Sequence, residues 1–304
     1  MISVKEEIKA IEEVLGESFG EGPRAFRNTL LNRVFARAVY TRNFSFWKDF
    51  YRDSEESFFN RNFACIFIGN SENKSAENYS KLHELMHLYT YKGKMELFEM
   101  EDKGFDMIKK AREAILSRLF SLREPSSKIE IDRQTLEQCV IARALNEGLA
   151  DYIAIEAQRR QAVKGKPFSC FFIKREKKYT GFQGKVGNPL NPLPLSPFVA
   201  ENTKQIILLS TDKIVKNFSE AIDISFSDIT EDFISSFLYH LDLFSHLRSH
   251  TVYYSGYYYV KSALQGRTRN LTKPIEEIRL NIPKSYEEYF ANLERNLKSL
   301  DTQR

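Results

Sequence analysis

Nowhere in these 304 residues do about eighteen apolar side chains follow one another, so no membrane-crossing helix is expected. The N-terminus is equally short of the unbroken apolar core that a secretory signal needs: in "MISVKEEIKAIEEVLG", Val4, Ile8, Ile11 and Leu15 share one helical face, with Glu and Lys between them. Cysteine is scarce. Cys65, Cys139 and Cys170 are odd in number and without C-x-x-C spacing, which excludes a disulfide framework and points to free thiols in a reducing, cytoplasmic setting. Neither sign of charge dominates, with 45 Lys and Arg against 41 Asp and Glu. That balance predicts neither nucleic-acid nor membrane-surface binding. The densest basic run, "KREKK" at Lys174–Lys178, holds a glutamate and no interleaved aromatics, as a solvated loop would. What remains is a chain 42% hydrophobic, long enough to bury a sizeable core.

Histidine is also rare, and this gives its placement weight. Two of the five stand in "YSKLHELMHLYTY", Tyr79–Tyr91, four residues apart with Glu84 directly after the first. On an α-helix, positions i and i+4 lie one above the other, so His83 and His87 can converge on one point. Leu82, Leu85, Met86 and Tyr89 follow the spacing of a buried stripe beside them. Two neutral imidazoles supply half of a tetrahedral zinc shell, and Glu84 is within reach of a water at that point. Two core-edge histidines flanking a glutamate by accident would give the same pattern.

A catalytic zinc site takes a third protein ligand. In "RALNEGLADYIAIEA", Arg143–Ala157, Glu147 and Asp151 stand at i and i+4 on a strongly helical run, with small residues Gly148 and Ala150 between them that would let a second helix come close. Glu147 suits the third ligand. Asp151 suits the outer partner that holds the far nitrogen of a ligating histidine. A solvated acidic helix face is the competing reading of this pair.

"HELMH" followed by "NEGLADY" resembles the gluzincin branch of zinc metallopeptidases. The resemblance implies Zn²⁺ held by His83, His87 and Glu147, Glu84 as general base and acid, Asp151 as outer partner, and a peptide or protein as substrate. The 60-position step from His87 to Glu147 exceeds the gap in the thermolysin and aminopeptidase N groups. The Ste24/HtpX-like group accepts long gaps, but its members are embedded in membranes. "TVYYSGYYYVKSALQG", Thr251–Gly266, resembles the Y-x-x-G segment of aminopeptidase N-like gluzincins. There it implies Tyr253 as donor to the tetrahedral oxyanion, with Tyr254, Tyr257 and His250 as substitutes. An aromatic packing surface is the other reading of these tyrosines. No G-x-M-E-N-type segment precedes the zinc motif; "IFIGNSEN", Ile66–Asn73, lacks that pattern, which disfavours an aminopeptidase. A non-catalytic zincin-like zinc-binding protein is the alternative function, although such a site has no use for Glu84.

The expected fold is α+β and mostly helical, zincin-like, with a small sheet before the active-site helix. Residues 1–60 read as two or three helices. "RNFACIFIGN", 61–70, reads as a strand, expected to be the sheet edge that binds extended substrate by β-augmentation. Helices are expected at 76–93, 104–122, 133–162, 202–218, 228–248, 251–265 and 284–299. One catalytic unit over 1–304 is expected, with possible subdomains 1–163 and 198–304 joined by a Pro/Gly-rich loop, 164–197, serving as lid, cleft wall or tether. His240, His246 and His250 lack a neighbouring acidic or cysteine ligand and read as surface or cap residues.

Overall fold

A computed structural model describes residues 2–18, 24–29, 32, 57–60, 65–70, 74–93, 96–121, 131–164, 204–216, 250–264 and 267–301. In chain order the elements are α1 (Lys5–Leu15), β1 (Arg24–Arg27), β2 (Phe58–Asn60), β3 (Cys65–Ile68), α2 (Lys74–Gly93), α3 (Glu96–Ser121), α4 (Arg133–Val163), α5 (204–216), α6 (His250–Ala263), α7 (Thr272–Leu280) and α8 (Tyr286–Asp301). Among the described residues the fold is mostly helical with one small mixed sheet. All of the loop expected at 164–197 beyond Lys164, the helix at 228–248, Cys170, His240 and His246 lie outside the described residues.

The chain forms two compact units, each assembled from three stretches: Met1–Met95, Leu149–Leu193 and Leu264–Ile278 in the first, and Glu96–Gly148, Pro194–Ala263 and Arg279–Arg304 in the second. In the first unit, α1 buries Ile11, Val14 and Leu15 and stops at Gly16. Gly16 takes a left-handed φ of 84° and donates its N–H to Glu12 O at 2.8 Å, a turn that a side chain would oppose. The sheet runs β1-β3-β2, with β1 parallel and β2 antiparallel to β3. Phe26 and Phe58 both pair with Phe67 in register, and their rings stack on it at 5.7 and 4.9 Å. Helix α2 packs on β3, β2 and α1. Leu82, Leu85, Met86 and Leu88 are fully buried on it, the density of contact that makes an amphipathic helix stable in a protein.

One expectation is met in part and one is corrected. Of the two or three helices expected over residues 1–60, α1 is described and 33–56 lie outside the described residues; the strands "RAFR" and "FFN" are too short to show a period of two, and their pairing with β3 decides their conformation. The strand before the histidines is not an edge. β3 is bonded on both sides and all four of its residues are buried, as its unbroken apolar run "CIFI" now explains, so it has no open side for a substrate strand.

In the second unit, α4 opens on Asp132, whose carboxylate accepts the backbone N–H of Thr135 at 2.9 Å and of Gln134 at 3.2 Å, satisfying two donors that the helix leaves unpaired. The small residues on α4 admit α6 to backbone contact. A Cβ on Gly148 would lie 2.2 Å from the Gly256 carbonyl carbon, and one on Gly256 would lie 1.8 Å from Ala144 O. On its far side α6 packs against α8, where Tyr259 stacks on Tyr289 at 4.8 Å and the Ser255 and Tyr289 hydroxyls meet at 3.1 Å. Of the 31 residues of α4, almost all inside its ends are buried, so it is wrapped on every side rather than laid on a surface. The helix Thr272–Leu280 is not among those expected, although Leu271, Ile275 and Ile278 stand at i, i+4 and i+7 and are all buried.

Candidate metal centre

The site starts from α2. Its 3.6-residue period stacks His83 over His87, bringing their Nε2 atoms to 3.0 Å with the rings edge to face. A tetrahedral shell with 2.0–2.1 Å bonds sets neighbouring nitrogens about 3.4 Å apart, so this spacing already approaches that of two ligands on one ion. Both histidines and Glu84 are buried, each less than a tenth exposed.

Behind His83, its Nδ1 lies 2.9 Å from Asp151 Oδ1, on a side chain with no exposure at all. A carboxylate there favours the proton on Nδ1 and leaves the Nε2 lone pair for a metal. The Tyr79 hydroxyl donates to the same Asp151 oxygen, and its ring lies 5.9 Å from the His83 ring. Asp151 is thus held by the Tyr79 hydroxyl while it orients His83.

Glu147 follows from Asp151. Helix α4 is unbroken through Gly148 and Leu149, so the two carboxylates share one face, a single turn apart. His83, His87 and Glu147 each offer a ligand atom, and all three atoms lie within 4.8 Å of one another. Two imidazoles and a carboxylate, with an acid behind one imidazole, are a donor set that could hold a divalent transition metal, zinc among them.

Arg143, one turn before Glu147, binds three partners. Its Nη2 donates to Glu147 Oε1 at 2.8 Å and to the Tyr253 hydroxyl at 2.6 Å, and its Nη1 donates to Glu101 Oε1 at 2.8 Å. The guanidinium also stands 5.3 Å from the Tyr253 ring centre. Burial alone would lower the Arg143 pKa, but the carboxylates of Glu147 and Glu101 outweigh it and hold the pKa well above the ordinary arginine value.

Of the sequence-predicted residues, His83, His87, Glu147 and Asp151 are brought together, and Glu84 lies beside His83 in the same buried turn. Tyr253 is half-buried against Arg143. Tyr257 is fully buried, with its ring 5.2 Å from that of Tyr258. The side chains of Tyr254 and His250 lie outside the described residues. Cys139 is a buried thiol donating to Glu101 O at 3.3 Å. Three residues escaped the sequence reading. Tyr79 and Arg143 carried a signal, each standing four positions before a proposed ligand. Glu101 carried none, since it stands 42 positions before the arginine it holds.

Comparison with protein-family models, with curated proteins and with solved structures found no match to this chain.

Proposed function

We propose that this chain is a zinc-dependent peptidase of gluzincin type with a zincin-like fold, which hydrolyses peptide bonds through a water activated by a glutamate. The observation that carries the reading is the Asp151–His83 contact together with the convergence of both Nε2 atoms and Glu147. Two stacked histidines alone are common, whereas an orienting acid placed behind one of them is the outer arrangement of a metal site. His83, His87 and Glu147 would hold the ion. When bound, zinc supplies Lewis acidity that acidifies a water and polarises the scissile carbonyl.

The other steps belong to the chain. Glu84 takes the proton from the attacking water and returns it to the leaving amine. Its burial beside His83 shields that proton from bulk solvent. Tyr253 donates one hydrogen bond to the tetrahedral oxyanion without bringing a permanent charge. Asp151 and Tyr79 hold the His83 ring, so that no reorientation is needed as the ion is bound.

The test is metal content by mass spectrometry on protein purified without an affinity-metal step, followed by hydrolysis of a peptide library. Near-stoichiometric zinc that is lost in Glu147→Ala, with cleavage abolished in Glu84→Gln, supports the reading. A wild-type protein that takes up no zinc even on reconstitution overturns it.

A further inference from the structure

The geometry points to Arg143 as a positioning residue, which with Glu101 sets both the third ligand Glu147 and the hydroxyl of Tyr253; this rests on the peptidase reading above. A single nitrogen of the guanidinium, Nη2, donates to Glu147 Oε1 and to Tyr253, so two groups on different helices are indexed to one rigid plane. Lysine has no such fork: its ammonium is one point on a flexible stem.

Each bond has a directional consequence. Guanidinium has donors and no acceptor, so the Tyr253 oxygen receives a hydrogen bond from Arg143 and its own proton is directed away from the arginine. A phenol held through its oxygen in this way is set up to donate to a developing oxyanion. Glu147, gripped at one oxygen, has its carboxylate plane fixed, which a ligand to the histidine-bound ion needs.

Glu101 supplies the remaining requirement. An arginine paired with Glu147 alone would compete with a cation for that carboxylate. Here the guanidinium is shared with a second carboxylate, itself only 1% exposed, so one positive charge stands against two negative ones. The cluster keeps a net negative charge for a divalent cation to offset, and Arg143 orients Glu147 without neutralising it.

The experiment titrates metal-free protein with Zn²⁺ against a chromophoric chelator, for wild type, Arg143→Lys, Tyr253→Phe and the charge-balanced pair Arg143→Gln with Glu101→Gln. Arg143→Lys keeps the charge and loses the fork, and it is expected to weaken zinc binding about 10- to 100-fold, as loss of an outer partner does. Tyr253→Phe is expected to bind zinc as wild type does and to lose kcat with KM unchanged. In peptide hydrolysis, the double variant Arg143→Lys with Tyr253→Phe is expected to lose less kcat than the product of the two single losses, because the first acts partly through the second. If Arg143→Lys fails to fold, as judged by circular dichroism, the balanced pair decides, with the same loss of zinc affinity expected. Wild-type zinc affinity in either folded variant, or fully multiplicative kcat losses, overturns the inference. Wild type that binds no zinc overturns the peptidase reading itself, a result distinct from both.

Discussion

Replacing Gly256 with alanine should destabilise the protein, although in a helix this exchange would ordinarily stabilise it. Alanine is favoured over glycine in a helix interior by about 1 kcal/mol. Against that, the new methyl would start 1.8 Å from Ala144 O and 2.5 Å from its carbonyl carbon, both backbone atoms of α4 that no rotamer change can move. Reaching even a 3.0 Å contact requires the two helices to part locally by about 1.2 Å. Overpacking a close-packed site costs about 1–3 kcal/mol, and a clash with backbone belongs at the top of that range. The net expectation is a loss of about 2 kcal/mol, which lowers the unfolding temperature by about 4–8 °C in a protein somewhat larger than those behind the scaling. Differential scanning calorimetry of the metal-free variant reads this directly. The same displacement would lengthen the 2.6 Å bond from Arg143 to Tyr253, so kcat should fall while zinc affinity stays close to wild type. A Gly256→Ala protein that melts at or above the wild-type temperature would refute the reasoning, because the helical preference for alanine would then have acted without opposition.

Other outcomes are equally specific. Glu84→Gln should keep its zinc and lose about 10²- to 10⁴-fold in kcat, the range of a general base, checked by metal content and peptide hydrolysis on one preparation. Asp151→Asn should weaken zinc binding about 10- to 100-fold in chelator competition, since an amide no longer favours the proton on His83 Nδ1. Tyr79→Phe should produce a smaller loss in the same direction, because Asp151 retains His83. Asp132→Ala should cost about 1 kcal/mol near pH 7 through the loss of the α4 cap. The hydroxyl and backbone N–H of Thr135 hold the Asp132 pKa below its usual value, so its contribution is full above about pH 4 and fades as pH falls through the folded pKa. Urea titrations of the two proteins should therefore converge in acid, and a gap that persists there would assign the cap effect to something other than the carboxylate.

What the sequence by itself determined is whatever depends on a single helix. His83 stacks on His87, Glu147 shares a face with Asp151, and Arg143 reaches Glu147, because i and i+4 are neighbours wherever 3.6 residues make a turn. The small residues around Glu147 also announced a close helix neighbour, and Gly256 provides it. Short strands were harder to read. "RAFR" and "FFN" have no period of their own and become strands only by pairing with β3, and that same pairing removes the open edge expected of the strand before α2. Tertiary structure alone decided which carboxylate shares Arg143, which of five clustered tyrosines meets that arginine, and that Tyr79 completes the support of Asp151. The physical reason is common to all three. Each joins residues 42 to 110 positions apart, where loop closure and packing, rather than any local period, choose the partner.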